Sequence, residues 1–163
     1  MKKIMIIGSP GSGKTTLSLK LASITGLPLV HLDKLFWRDN WTHVSREDFD
    51  TQLFKAVSQK EWIIDGNYGR TLDVRLNYAD TVIFLDYNRF VCLFRVFKRT
   101  LLSFGKSRFD MGDGCPERFD FSFMKYVWNF DKNSIYKKLN EIEDKNVIII
   151  KNNSSLKKFL KEL

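Results

Sequence analysis

Ile4-Met-Ile-Ile-Gly8-Ser-Pro-Gly-Ser-Gly13-Lys14-Thr15-Thr16 opens the chain with four apolar residues, a glycine-studded turn and a lysine. The apolar run reads as a buried strand and residues 14–24 read as a helix. Gly8-x-x-x-x-Gly13-Lys14-Thr15 therefore falls between strand and helix, the context in which this spacing binds phosphate. Gly8, Ser9, Pro10, Gly11, Ser12, Gly13, Lys14, Thr15 and Thr16 form the expected cradle for ATP. Free backbone N–H groups and the helix dipole both favour an anion there. Lys14 is expected to reach the β and γ phosphates, and the Thr15 hydroxyl to ligate Mg²⁺. The competing reading, turn glycines followed by a surface lysine, leaves the strand–loop–helix order unexplained.

Further strand-sized apolar runs follow at 29–32, 62–64, 81–85 and 147–150, most without polar alternation, as in strands covered on both faces. Helical patterns separate them at 14–24, 45–59, 70–78, 89–104 and 119–142, with a short last helix at 156–163. Ser45 with Asp48 approximates a capping box, and Ser154 or Ser155 can cap the last helix. This alternation predicts an α/β fold, a three-layer arrangement around a five-stranded parallel sheet. The stretch 105–118 holds three glycines and a proline without apolar periodicity. It reads as a long lid-like loop between two helices. No repeat or linker marks a second unit, so residues 1–163 are expected to form one domain.

The chain has 163 residues, 44% of them hydrophobic and 28% charged, which excludes a fibrous or wholly disordered protein. No apolar run is long enough to span a bilayer. The N-terminal apolar stretch is too short for a signal peptide. Cys92 and Cys115 lie in no CxxC or Cys/His cluster, so neither a disulfide framework nor zinc is expected, and a reducing cytoplasm is. The formal charge of +8 suits a polyanionic partner, or only a solvated basic surface.

Three apolar runs end in aspartate, at Asp33, Asp65 and Asp86. In a parallel sheet these ends border the ligand crevice. Asp65 is the better candidate to hold Mg²⁺ through water, whereas Asp33 suits orienting an acceptor hydroxyl or taking its proton. Asp86 reads as a turn or cap residue.

The phosphate loop, the segment Asp65-Gly66-Asn-Tyr-Gly-Arg70-Thr71 and the arginines after Asp86 resemble the P-loop nucleoside and nucleotide kinases, with a distant likeness to adenylate kinases. That resemblance implies a nucleotide kinase-like P-loop NTPase fold with a helical lid insertion. It also implies Arg95 and Arg99 as catalytic lid arginines beside Lys14 and Asp33, and Arg70 as a ligand to the acceptor. A resemblance covering nearly the whole chain is to bacterial DNA topology modulation proteins. It rests on His31-Leu-Asp-Lys-Leu-Phe-Trp37, Trp41, Gly66-Asn-Tyr-Gly, residues 110–119 and Tyr126-Val-Trp-Asn-Phe130.

Arg108 and Arg118 add positive charge around the lid, where it can neutralise phosphoryl oxygens. Trp37, with Phe36 and Trp41, offers a wall for a flat acceptor or else core packing. Phe119, Phe121, Phe123, Tyr126, Trp128 and Phe130 read as a packing surface, and His31 as structural. The function these features imply is transfer of the ATP γ-phosphoryl to a nucleotide, nucleoside or other small acceptor. The acceptor would be held by Asp33, Trp37, Arg70 and Arg108. The alternative is an ATP-controlled nucleic-acid binder, which would use the same basic residues.

Overall fold

Ile4, Met5, Ile6 and Ile7 are each at most 1% exposed, which requires cover on both faces of the strand that holds them. The computed structural model describes residues 1–112 and 114–163; Asp113, within the lid-like loop, lies outside the described residues. The elements in order are β1 (Lys3–Gly8), α1 (Lys14–Thr25), β2 (Leu29–His31), α2 (Leu32–Phe36), β3 (Trp37–Arg38), β4 (Thr42–His43), α3 (Arg46–Val57) and β5 (Trp62–Asp65). They continue with α4 (Leu72–Tyr78), β6 (Thr81–Leu85), α5 (Arg89–Leu102), α6 (Phe121–Trp128), α7 (Lys132–Asn140), β7 (Asn146–Ile150) and α8 (Asn153–Lys161).

Five strands pair in the order β2-β5-β1-β6-β7, all parallel. Alternation along β1 assigns each side chain to a face. Met5 and Ile7 join Ile64, Val82 and Phe84 under Phe49, Leu53, Leu76, Ile135 and Leu139 from α3, α4 and α7. Ile4 and Ile6 join Ile63, Ile83 and Leu85 under Leu17, Leu21, Cys92, Val96 and Val127 from α1, α5 and α6. Each such side chain contributes about 1.5–3 kcal/mol of burial. The result is the expected three-layer α/β fold of the P-loop, nucleotide kinase-like type. Strand order reverses at β1, so the carboxyl ends of β1, β5 and β6 meet at the switch point where ligands bind such sheets.

Several local expectations need correction. Two-sided burial holds for β1, β5 and β6, while the edge strands β2 and β7 are only partly covered. The helix expected over 119–142 is two helices, because Asp131 Oδ1 accepts from the N–H groups of Asn133 and Ser134 and caps a new start. The last helix begins earlier, capped by Asn152, with Ser155 completing the box. Ser45 caps α3 through Asp48 N–H as expected. Between α5 and α6 the chain forms a loop with isolated bridges at Phe104–Glu117 and Ser107–Pro116, not a helical insertion. The antiparallel pair β3–β4 was not foreseen, since two-residue strands carry no periodicity.

Arg75 on α4 has no exposed surface, and among the described residues no carboxylate pairs with it. Its guanidinium donates to the carbonyls of Gly66 (2.7 Å), Asn67, Tyr68 (3.0 Å) and Thr71 (3.4 Å). It thereby fixes the turn that carries Asn67 and Tyr68 off the end of β5. Burial pulls its pKa down to about 9. Replacing Arg75 with Met would leave several buried carbonyls unpaired, at about 1–3 kcal/mol each. Chemical denaturation of Arg75→Met should show a loss of at least about 3 kcal/mol, and Arg75→Lys, lacking the planar fork, should recover little of it.

Candidate active site

At the carboxyl edge of the sheet lies a cavity of about 1100 Å³. Pro10, Gly11, Gly13, Lys14, Thr15 and Thr16 form its floor, while Gly8, Ser9 and Ser12 are buried and do not line it. Gly11, at φ +79°, rests on α5: a Cβ there would meet the Cys92 carbonyl oxygen at 2.3 Å. Gly13, at φ +100°, precedes α1 without a side-chain cap, so the first-turn N–H groups are left for a ligand. Lys14 Nζ donates back to the carbonyls of Gly8 (2.8 Å) and Ser9 (3.1 Å). Burial lowers its pKa, against the pull of Asp65 and Asp33.

The two aspartates expected at the strand ends sit in different surroundings. Asp65 is 5% exposed and held on both oxygens, by Ser18 Oγ of α1 (2.9 Å) and by His31 Nδ1 (3.0 Å). His31 is therefore structural, as expected. Burial disfavours its charged form, but the Asp65 hydrogen bond and charge outweigh that and raise its pKa. Asp33, at the start of α2, faces the cavity and accepts from Tyr68 O–H at 2.8 Å. Burial pushes its pKa above the usual carboxylate range, although the Tyr68 bond and the charge of Lys14 oppose this. A half-buried carboxyl so tuned can take a proton from a hydroxyl. Asp86 pairs with Lys132 and accepts from Tyr136 O–H at 2.6 Å, away from the cavity lining.

Arg95, Arg99, Arg108 and Arg118 all line the cavity. Arg95 donates to the Ser12 carbonyl at 3.3 Å and lies 4.6 Å from the Tyr87 ring centroid, beside the phosphate loop. Arg108 grips Asp110 with two hydrogen bonds (2.8 and 2.9 Å) and donates to Glu117 (3.0 Å). Arg99 Nε lies 3.0 Å from Glu117 Oε1 but off line, without an aligned acceptor among the described residues. Its charged form is destabilised by burial and by the neighbouring Arg108 charge. Phosphoryl oxygens would relieve both costs.

Arg70 is not brought to the cavity lining: it forms a bidentate pair with Asp50 of α3 (2.6 and 2.8 Å). Trp37 does line the cavity, edge-on to Phe36 (5.0 Å) and Trp41 (5.5 Å), and Phe36 continues to Tyr68 (5.3 Å). Arg118 lies 5.2 Å from the Trp41 centroid. The aromatic residues of α6 divide: Phe123 and Tyr126 line the cavity, while Phe121 is 79% exposed. Sequence reasoning missed Asp110, Glu117, Asn67 and Tyr68. Asn67 Oδ1 accepts from Gly8 N–H at 3.1 Å and ties the turn after β5 to the phosphate loop.

The loop expected as a lid is pinned to the 37–43 segment. Gly112 packs so closely that a Cβ would lie 2.1 Å from the Trp37 carbonyl oxygen. Asn40 N–H donates to the Gly114 carbonyl (2.9 Å), Cys115 Sγ to the Arg38 carbonyl (3.0 Å) and Trp41 Nε1 to the Pro116 carbonyl (3.1 Å). Asp110 Oδ2 in turn accepts from Thr15 Oγ1 at 2.8 Å, so the loop spans the cavity from its aromatic wall to the phosphate loop. Among the described residues no group of three or more His, Cys, Asp or Glu could hold a metal ion by itself. Mg²⁺ needs no such cage, since it binds through one or two protein oxygens plus phosphates and water. Thr15 and the nearby carboxylates fit that requirement.

The sequence matches no family model and no curated protein. Among solved structures, a deoxyadenosine kinase from M. mycoides with bound dATP is similar at a TM-score of 0.58 and 15% identity, covering 99% of this chain and 98% of that one. The same enzyme with products dCMP and a flexible dCDP gives 0.54 and 14%, covering 98% and 97%. A protein from Chloroflexus aurantiacus, designated a kinase, gives 0.54 and 17%, covering 99% and 98%. At these identities the likeness establishes the fold.

Proposed function

We propose that the chain is an ATP-dependent phosphotransferase that moves the γ-phosphoryl group to a hydroxyl of a small acceptor carrying a flat ring, a nucleoside before a nucleotide. One observation carries this reading: Asp33, a half-buried carboxyl with a raised pKa, faces the same cavity as the Lys14–Thr15 phosphate loop and four arginines. A simple ATPase has no need of the aromatic wall of Phe36, Trp37 and Tyr68 around that carboxyl. With Arg70 paired to Asp50, that arginine is not placed to hold an acceptor phosphate. The fold shared with a kinase solved with bound dATP supports the same substrate class.

In this reading the γ-phosphoryl lies between Lys14 and Arg99, with Arg95 and Arg108 neutralising charge on its oxygens. Asp33 orients the acceptor hydroxyl and takes its proton as the new P–O bond forms and ADP leaves. Tyr68 holds Asp33 in place and Trp37 packs on the acceptor. Asp65, through its bonds to Ser18 and His31, fixes the outer surroundings of Mg²⁺, which when bound offsets charge on the β and γ phosphates. Residues 1–163 act as one domain with 105–118 as its cover. The motifs shared with DNA topology modulation proteins belong to this proposal as a family assignment.

A second reading, ATP-controlled nucleic-acid binding, draws on one surface. Helices α5 and α6 carry Arg89, Lys98 and Lys125 beside exposed Phe90, Phe94 and Phe121, and contain no acidic residue. It requires affinity for DNA or RNA that falls steeply with salt and changes with ATP.

ADP release should depend on an added nucleoside and fall to background in Lys14→Ala; if a broad nucleoside and nucleotide panel leaves release at background while ATP still binds, the kinase reading fails. Asp33→Asn should cut kcat by about 10²–10⁴-fold. Its stability should move the other way. A raised folded-state pKa favours the protonated form, whose contribution is present below the unfolded value and lost as pH rises through the folded value. The permanently neutral Asp33→Asn variant should therefore melt above the parent at pH 7, and the gap should narrow as pH falls into the carboxylate range.

A further inference from the structure

Among the described residues, Thr15 is the one phosphate-loop side chain whose hydroxyl has a carboxylate partner, and that partner comes from 95 residues away. Asp110 is 6% exposed and lines the cavity with Thr15. Its place is built: Arg108 fixes both oxygens, and Gly112, Gly114, Cys115 and Pro116 clamp the chain after it to residues 37–41. The ion pair with Arg108 thus presents a carboxylate at the edge of a cavity read as a polyphosphate site. Beside bare ATP it would repel.

The distance between the two oxygens resolves this. Mg²⁺ binds oxygen at about 2.0–2.1 Å in near-octahedral geometry, so two ligands at right angles lie about 2.8–3.0 Å apart. Thr15 Oγ1 and Asp110 Oδ2 are 2.8 Å apart, an O–H···O hydrogen-bond distance that also matches one edge of such an octahedron. Turning the hydroxyl hydrogen away frees a lone pair on each oxygen without moving either, and Arg108 keeps its two bonds. Asp65 lines the cavity too, but its oxygens go to Ser18 and His31, and among the described residues neither is hydrogen-bonded to Thr15.

On the reading of the cavity as an ATP site, we propose that Asp110 is a direct Mg²⁺ ligand with Thr15, delivered by the 105–118 loop. Asp65 then stands behind them as a positioning residue. The loop's carboxylate makes nucleotide binding depend on the metal, because only the cation reconciles Asp110 with the phosphates.

Calorimetric titration of ATP in Mg²⁺ and in EDTA tests this, with the ratio of the two dissociation constants as the readout. In the parent protein Mg²⁺ should tighten ATP binding. In Asp110→Asn that enhancement should shrink by about tenfold or more, the scale on which metal affinity responds to losing a supporting group. ATP affinity in EDTA should be unchanged or stronger. Cys115→Ala, which removes a clamp between the loop and Arg38 but keeps the carboxylate and its Arg108 partner, should retain most of the enhancement. An unchanged ratio in Asp110→Asn overturns the assignment, and so does an equal loss in Cys115→Ala, which would trace the effect to loop position. ATP binding with an unchanged ratio sinks the ligand role alone, whereas a parent protein that binds no ATP under either condition removes the cavity reading and the assignment with it.

Discussion

At the start of α1 the backbone turns through Gly13 in a left-handed conformation, and among the described residues no side chain accepts its first-turn N–H groups. Such donors are satisfied by water or by a ligand. That open end is the constraint to which the rest of the molecule answers. β1 delivers the loop at the point where strand order reverses, Gly11 lets it lie against α5, and Lys14 is parked on the carbonyls of Gly8 and Ser9. Asn67 and Ser18 join the loop and α1 to the turn after β5. Arg75, buried beneath that turn, holds it by its carbonyls.

Around this end the molecule arranges charge in alternation. Arg99, Glu117, Arg108, Asp110 and Thr15 form a continuous chain from α5 to the phosphate loop. The carboxylates keep the arginines oriented and limit repulsion between them, while the off-line Arg99 Nε leaves a donor for a phosphoryl oxygen. The segment 37–43 is bound to the same loop, so the aromatic wall near Asp33 and the arginines beside the phosphate loop are physically one unit. A proposed lid so fastened couples the two ends of the cavity.

What the sequence disclosed was the local part. Gly8 to Thr15 has a fixed spacing, and the strands are unbroken apolar runs, so the fold was legible from residues adjacent in the chain. Contacts across long separations were not. Asp110 lies in a stretch without periodicity and meets Thr15 only through folding. Arg70 carried a kinase-like motif, yet its direction is set by Asp50 on a separate helix. Arg75 pairs with carbonyls, which leave no mark on composition. The aromatic rhythm from Phe119 to Trp128 extended a helix past Asp131, where a capping side chain outweighs it.

The central claim is that Asp33 and the phosphate loop serve one transfer reaction. Phosphorus NMR of a mixture of the protein, Mg²⁺-ATP and a nucleoside mixture measures it most directly. The account predicts a phosphate monoester signal growing in step with ADP. ADP accompanied only by inorganic phosphate would contradict it, because the cavity would then pass the γ-phosphoryl to water.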